Sequence, residues 1–368
     1  MYPALRRLLF SLPPEVAHYL SFAAGHTAQS VGSGVVDRIF RYDHEALRVS
    51  LWGQKFSSPV GLAAGFDKNA ALIDFWPRLG FGFAEVGSVT LRPSRGNPRP
   101  RAFRIVDDGA LVNRMGLNNN GAERVAARIG NRGMYHPFPL GINIAKTHDE
   151  SIVGTDAIED YVESFRLLAP AANYVALNVS CPNTAEGKTF EEPEPLDQLL
   201  GRVFEVREEV NPRVPVLVKL SPPLSDRVVF DSLLEELLAV CVSHGIHGLI
   251  ATNTASDRSG LSADPDQLER IGPGGLSGRP IHRRSTRMVQ YLYEKTDGAI
   301  PIIGVGGIDS AESAYAKIRA GASLVQLYTG LIYQGPGLVK IIKEQLVALL
   351  QEDGYNSVSQ AVGADLTS

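Results

Sequence analysis

The chain has 368 residues, is 44% hydrophobic and 21% charged, and carries a formal net charge of −4 at pH 7. That composition excludes a disordered, fibrous or membrane-filling chain, and the mild acidity with no long Lys/Arg run excludes an electrostatic footprint for nucleic acid. Cys181 sits in a polar loop and Cys241 in an apolar helical stripe, so a disulfide framework is ruled out and a reducing compartment is expected.

Residues 1–32 read as a helical extension, with one helix up to Phe10, a break at Leu12-Pro13-Pro14, and a second helix from Glu15 to about Ala28. Arg6-Arg7 before Leu8-Leu9-Phe10 superficially suggests an export signal, but Pro13-Pro14, Glu15 and His18 interrupt any apolar core, and the segment reads as mature structure. Leu5, Leu8, Leu9, Val16, Tyr19, Leu20 and Ala23 either pack on the body of the protein or face a membrane surface. No stretch reaches the roughly 18 apolar residues a bilayer span needs, so any attachment is peripheral.

From residue 33 to 353, short β-rich runs alternate with helical periodicity. The runs are Val60-Gly65, Phe83-Val89, Leu140-Ala145, Tyr174-Val179, Val214-Leu220, Gly248-Thr252, Pro301-Val305 and Ser323-Leu327. Most are apolar on both faces, the mark of parallel strands buried on two sides. Helices are expected over Asn69-Leu79, Asp156-Ala169, Leu196-Val210, Asp226-His244, His282-Lys295, Ser310-Ala320 and Gly337-Leu350. The pattern predicts an α/β fold, a closed (β/α)8 TIM barrel with a short N-terminal two-helix extension. An open doubly wound sheet would carry Gly-x-Gly-x-x-Gly after its first strand, where this chain has Gly65-Phe66-Asp67-Lys68.

Residues 90–138 are too long for a plain connection and form an insertion. Arg101 to Val112 reads as a hairpin with an Asp-Gly turn, followed by a helix around Ala122-Ile129. Residues 354–368 are polar and expected to be loosely ordered.

In such a barrel the chemistry lies at the C-terminal strand ends. Those positions hold Lys68, Ser88, Asn143 with Lys146, Asn178, Lys219, Thr252-Asn253-Thr254, Gly306-Gly307 and Tyr328-Thr329-Gly330. Three lysines and several amides, with no His or carboxylate cluster, point away from a metal and toward an anionic, amide-bearing ring. The glycines after strand seven and Thr329-Gly330 after strand eight stand where barrels commonly hold a phosphate, although a plain tight turn gives the same local pattern. Lys219 inside an apolar run needs either a buried ion-pair partner or a role beside an electron-rich ligand.

The motifs Ala63-Ala64-Gly65-Phe66-Asp67-Lys68, Asn113-Arg114-Met115-Gly116-Leu117-Asn118-Asn119, Gly141-Ile142-Asn143-Ile144, Asn178-Val179-Ser180-Cys181-Pro182-Asn183-Thr184 and Val218-Lys219-Leu220-Ser221-Pro222 occur in order. Ala251-Thr252-Asn253-Thr254, Gly274-Gly275-Leu276-Ser277-Gly278-Arg279-Pro280 and Gly304-Val305-Gly306-Gly307-Ile308 follow. From its first residues to about position 340 the chain resembles the quinone-dependent (class 2) dihydroorotate dehydrogenase family. The resemblance implies oxidation of dihydroorotate to orotate in pyrimidine biosynthesis. It places FMN on Ala64, Gly65, Phe66, Asp67, Lys68, Ser88, Asn143, Asn178, Lys219, Thr252, Gly278, Gly307, Tyr328 and Thr329. It places orotate on Lys68, Asn113, Arg114, Met115, Gly116, Leu117, Asn178, Asn183, Asn253 and Thr254.

The same resemblance makes Cys181 the base that takes the C5 proton of dihydroorotate. The quinone-linked class usually has serine there and the soluble class, which uses fumarate or NAD, usually has cysteine. The N-terminal extension resembles the quinone tunnel of the membrane-associated class, with His18 and Arg104 in matching contexts and Tyr328 beside them. Quinone is therefore the expected acceptor. The resemblance further implies peripheral association through residues 1–30 with the cytoplasmic side of the cell membrane, no metal and no obligatory protein partner.

Overall fold

The computed structural model describes residues 2–31, 33–130, 138–180, 189–223 and 232–366. Eight parallel strands close into a barrel in the order Val60–Leu62, Phe83–Val89, Leu140–Ile144, Tyr174–Asn178, Val216–Leu220, Gly248–Ala251, Ile302–Val305 and Ala322–Leu327, the last pairing with the first. All eight expected runs are strands. They are buried on both sides because β-branched and leucine side chains face the helices without and the barrel core within. Register places Asn178 opposite Lys219 at the C-terminal edge, so two of the polar strand-end residues become neighbours through backbone pairing alone.

The lower barrel is an aromatic plug. Phe56, Phe83, Tyr174 and Trp52 meet edge to face or tilted, with ring centroids 5.4 to 6.5 Å apart. Gly61 and Gly141 make room for it, since a Cβ on Gly61 would lie 2.3 Å from Phe83 and one on Gly141 2.0 Å from Tyr174.

The expected outer helices are present as Gly154–Leu168, Pro193–Val210, Ser232–Ser243, His282–Lys295, Ala311–Arg319 and Leu338–Glu352. Cys241 is buried in the core, as its apolar stripe indicated. The helix expected over residues 69–79 does not form. The segment winds through turns to a short 3-10 piece, Pro77–Leu79. The buried Asp67 carboxylate accepts from the N–H groups of Ala71 and Leu72, both at 2.8 Å, and from the Trp76 indole at 3.1 Å. These bonds replace a helical ladder, and Ala70 takes a left-handed φ of 55°.

The hairpin is formed by Ala102–Ile105 and Ala110–Asn113, and Gly275–Gly278 adds a third strand to it. Ala122–Gly130 is the expected helix after it. The N-terminal segment comprises Tyr2–Phe10 and Pro14–Val31, followed by a third helix, Ser33–Phe40, which the periodicity did not indicate. The polar tail is not loose over its described part. Val358 and Ala361 are fully buried, and Asp365 pairs with Arg319 at 2.6 Å.

Candidate active site

A cavity of about 800 Å³ runs from the C-terminal strand ends to the underside of the N-terminal helices. Its barrel end is lined by Ala64, Gly65, Phe66, Asp67, Lys68, Ser88, Asn178, Lys219, Thr252, Asn253 and Thr254. Gly278, Gly307, Tyr328 and Thr329 also line it, as do Asn113, Met115, Gly116 and Leu117 of the insertion. Its outer end is walled by Leu5, Leu9, Phe10, His18, Phe22 and Arg104.

The floor is a connected polar layer above the aromatic plug. Glu85, fully buried, accepts from Asn143 Nδ2 at 3.0 Å, Tyr174 OH at 3.0 Å and Gln326 Nε2 at 2.9 Å. Its carboxylate lies 3.8 Å from Lys219 Nζ. Lys219 thus has the buried counter-charge that one reading of a lysine in an apolar strand requires, and it also lines the cavity. Burial and the Glu85 charge together push the Tyr174 hydroxyl well above its ordinary range, so it stays a donor.

From this hub the amides link sideways. Ser88 Oγ donates to Asn143 Oδ1, and Asn178 Nδ2 donates to Ser88 Oγ at 2.9 Å. Asn253 Nδ2 donates to Asn178 Oδ1 and to Ser180 Oγ, both at 3.0 Å. Ser180 Oγ in turn donates to the Lys219 carbonyl at 2.9 Å. Each amide is held by its neighbours, so a ring placed on this layer meets donors and acceptors already oriented.

Lys68 stands on the cavity wall with Nζ 2.6 Å from the Gly65 carbonyl. Burial, and secondarily Arg101, pull its pKa down to about 8, against the opposing pull of Glu15 and Asp67. Toward the outer end, His18 packs on Phe22 and Phe66 at 4.5 and 5.3 Å, and burial with the nearby Lys68 drops it to about 4. Its imidazole is neutral at physiological pH. Arg104 donates to the carbonyls of Leu9, Phe10 and Leu12 and lies 4.5 Å over the Phe10 ring, clasping the C-terminal turn of the first helix. Tyr328, raised to about 12 by burial, meets Phe66 at 5.1 Å.

Three sequence candidates stand off the wall. Lys146 turns its ammonium to the carbonyls of Asp149 and Ile152, at 3.3 and 2.7 Å, so two rather than three of the strand-end lysines line the cavity. Arg114 donates to Pro100 and Ile271 carbonyls and stacks 5.1 Å from Phe103. Asn143 lies one layer below the cavity. Cys181 and Asn183 fall outside the described residues.

Sequence reasoning missed Glu85, Gln326 and Ser180. The argument that singled out Lys219, a polar group inside a two-face apolar strand, applies equally to Phe83-Ala84-Glu85-Val86 and Leu324-Val325-Gln326-Leu327 and would have found the first two. Ser180 carried no such signal.

Fold and site together define a (β/α)8-barrel enzyme with a polar, cation-bearing mouth beneath a helical cap. The family model for dihydroorotate dehydrogenase matches residues 46–350. A Nocardia farcinica protein named dihydroorotate dehydrogenase (quinone) is 43% identical over 367 residues, 99% of this chain and 97% of that protein. Its Halobacterium salinarum counterpart is 44% identical over 367 residues, covering 100% of both chains. The crystal structure of DHODH in complex with ferulenol from Eimeria tenella superposes with a TM-score of 0.83 at 32% identity, over 98% of this chain and 99% of that one. This chain belongs to the dihydroorotate dehydrogenase family.

Proposed function

We propose that this protein oxidises dihydroorotate to orotate in pyrimidine biosynthesis, with FMN as cofactor and a quinone as final electron acceptor. The observation that carries this reading is the continuity of the cavity. One space touches Lys68 and Asn253 at the strand ends and His18, Arg104 and Tyr328 under the N-terminal helices, so two chemically different partners have separate approaches. The full-length relatives named for the quinone reaction support it.

The residues present suit FMN. Gly278, Gly306 and Gly307 adopt φ of 101°, 118° and 72°, and a Cβ on Gly307 would lie 2.5 Å from His282 Cα, so this wall is bare backbone beside the first turn of Thr329–Gln334. Gln326 Oε1 is buried without a protein donor on the cavity floor, which suits a ring N–H. The chemistry that bound FMN supplies is acceptance of two electrons from the substrate and their release to the quinone.

The chain's own residues do the rest. Lys68 holds the substrate carboxylate, and Asn178, Asn253 and Thr254, with Asn113, Met115, Gly116 and Leu117, orient its ring. Lys219 would help hold the flavin ring and, as a fixed cation, would favour negative charge on it. Cys181 Sγ takes the C5 proton. Ser180, immediately before it in sequence, is held by the Lys219 carbonyl and the Asn253 amide. With a reference pKa of about 8.5, a thiol ionises near neutral pH far more readily than a serine hydroxyl, and its thiolate is the form that accepts the proton. Neutral, aromatic-packed His18 suits an apolar quinone head.

Leu5, Leu8, Val16, Tyr19 and Leu20 are exposed on the first two helices, which supports peripheral docking on a membrane surface. Among the described residues no helix is long and apolar enough to cross a membrane.

Anaerobic mixing with dihydroorotate is expected to bleach the bound flavin, and a water-soluble quinone analogue to restore its colour. Failure to bleach rejects the substrate. Restoration by fumarate or NAD and not by quinone rejects the acceptor. In Cys181→Ser the bleaching slows and its pH profile shifts upward; an identical profile moves the base elsewhere.

A further inference from the structure

Lys317 lies on the helix Ala311–Arg319, behind the barrel wall, and is completely buried. Its ammonium donates to Ser285 Oγ at 2.6 Å and Thr286 Oγ1 at 2.9 Å, while its stem packs on Gly304, where a Cβ would lie 2.8 Å from Lys317 Cδ. No carboxylate among the described residues pairs with it. An ammonium taken out of water with only hydroxyls for partners is costly, by several kcal/mol in general. Burial accordingly pulls its pKa to about 7. A nearby anion would favour the charged form.

The path from this lysine leads to the bare-backbone wall of the cavity. The single proton of Ser285 Oγ has two acceptors within reach, the Gly306 carbonyl at 3.1 Å and the His282 carbonyl at 3.0 Å, so the hydroxyl bridges Lys317 to the glycine loop when it turns to Gly306. Gly306 and Gly307 line the cavity and lie directly on the start of helix His282–Lys295. The other charged groups here are already engaged. Arg279 pairs with Asp309 at 3.1 Å, and the ring of His282 bonds the Ser313 carbonyl while burial, then Lys317, lowers its pKa.

We propose that Lys317 is a positioning residue for the FMN phosphate: acting through Ser285, it fixes the Gly306-Gly307 loop and places a buried positive charge behind it, so that flavins bearing a phosphate are retained over those without one. This rests on the FMN reading above. It assigns work to a group outside the reacting centre, and it predicts a discrimination that a purely structural lysine would not produce.

The test compares FMN with riboflavin, which carries the same ring and no phosphate. Holoenzyme is equilibrated with an excess of an equimolar mixture of the two, desalted, and its bound flavins are separated by chromatography. Lys317→Met is expected to lower the bound FMN-to-riboflavin ratio about tenfold, the scale of a lost hydrogen-bonded charge. Ser285→Ala is expected to lower it by less, because the cation stays and only its link to the loop is removed. An unchanged ratio in either variant, or equal loss of both flavins in Lys317→Met, overturns the proposal. Should Lys317→Met fail to fold, Ser285→Ala decides alone. A parent enzyme that binds no flavin, or shows no preference for FMN, rejects the cofactor reading instead, and the two failures are distinguishable.

Discussion

Lys68 and Glu85 show how a single side chain's surroundings set its behaviour. In the ligand-free site Lys68 is a cation below about 8 and neutral above it, so above that pH binding a carboxylate must first restore its proton. Orotate affinity, followed by the change in flavin absorbance, is therefore expected to be flat up to about pH 7.5 and to weaken as pH rises further. Lys68→Met should weaken binding at least about 30-fold, the lower end for losing one member of a charge pair, and remove the pH dependence. A parent profile flat to pH 9.5 would contradict this role. Glu85 is the opposite case, a charge wholly inside the barrel. Glu85→Ala leaves Lys219, Asn143, Tyr174 and Gln326 without their common acceptor, and a loss of about 3–5 kcal/mol in urea unfolding is expected. A loss below about 1 kcal/mol would mean that water fills the hub.

At the scale of elements, the barrel strands were legible because strands buried on two faces announce themselves as short apolar runs. The connection after the first strand was not. Its apolar spacing suits a helix, but the decisive interaction is Asp67 with the backbone of Ala71 and Leu72, a competition between side chain and ladder that periodicity does not register. Asp67→Ala is expected to cost about 2–4 kcal/mol, from buried N–H groups left without an acceptor, and to increase exchange of those amides. Unaltered stability would show that the turns persist without it. The first helix is likewise fixed by a distant residue. Arg104 clasps carbonyls at its end, so Arg104→Ala should raise hydrogen exchange across residues 2–12 by at least about tenfold. No change would place the anchoring elsewhere, in Tyr2 and Arg6, whose side chains bond carbonyls of Ile332 and Tyr333.

Over the whole molecule, the buried lysines set a pH trend in stability. Lys317 is held at about 7 and Lys343 at about 8, both by burial and against about 10.5 when unfolded. Between those values the unfolded chain binds more protons than the folded one, so stability from these groups rises as pH increases from about 7 to about 10. Urea midpoints of flavin-free protein should follow that slope, and Lys317→Met should flatten it. A parent midpoint falling over the same range would show that other groups dominate.

By itself the sequence determined the barrel, its strand ends, the hairpin insertion and the polar set around the mouth, because burial on two faces and strand-end placement are local patterns. The tertiary structure alone decided which members of that set reach the cavity. Lys68 and Lys219 do, whereas Lys146 folds back on two carbonyls, and Asn143 drops to a layer beneath. It alone joined Glu85 to Gln326 over the intervening strand Val60–Leu62, and Lys317 to the glycine loop through Ser285. Those contacts bridge residues far apart in the chain, and a side chain's direction follows from the neighbours that packing brings to it rather than from its place in the sequence.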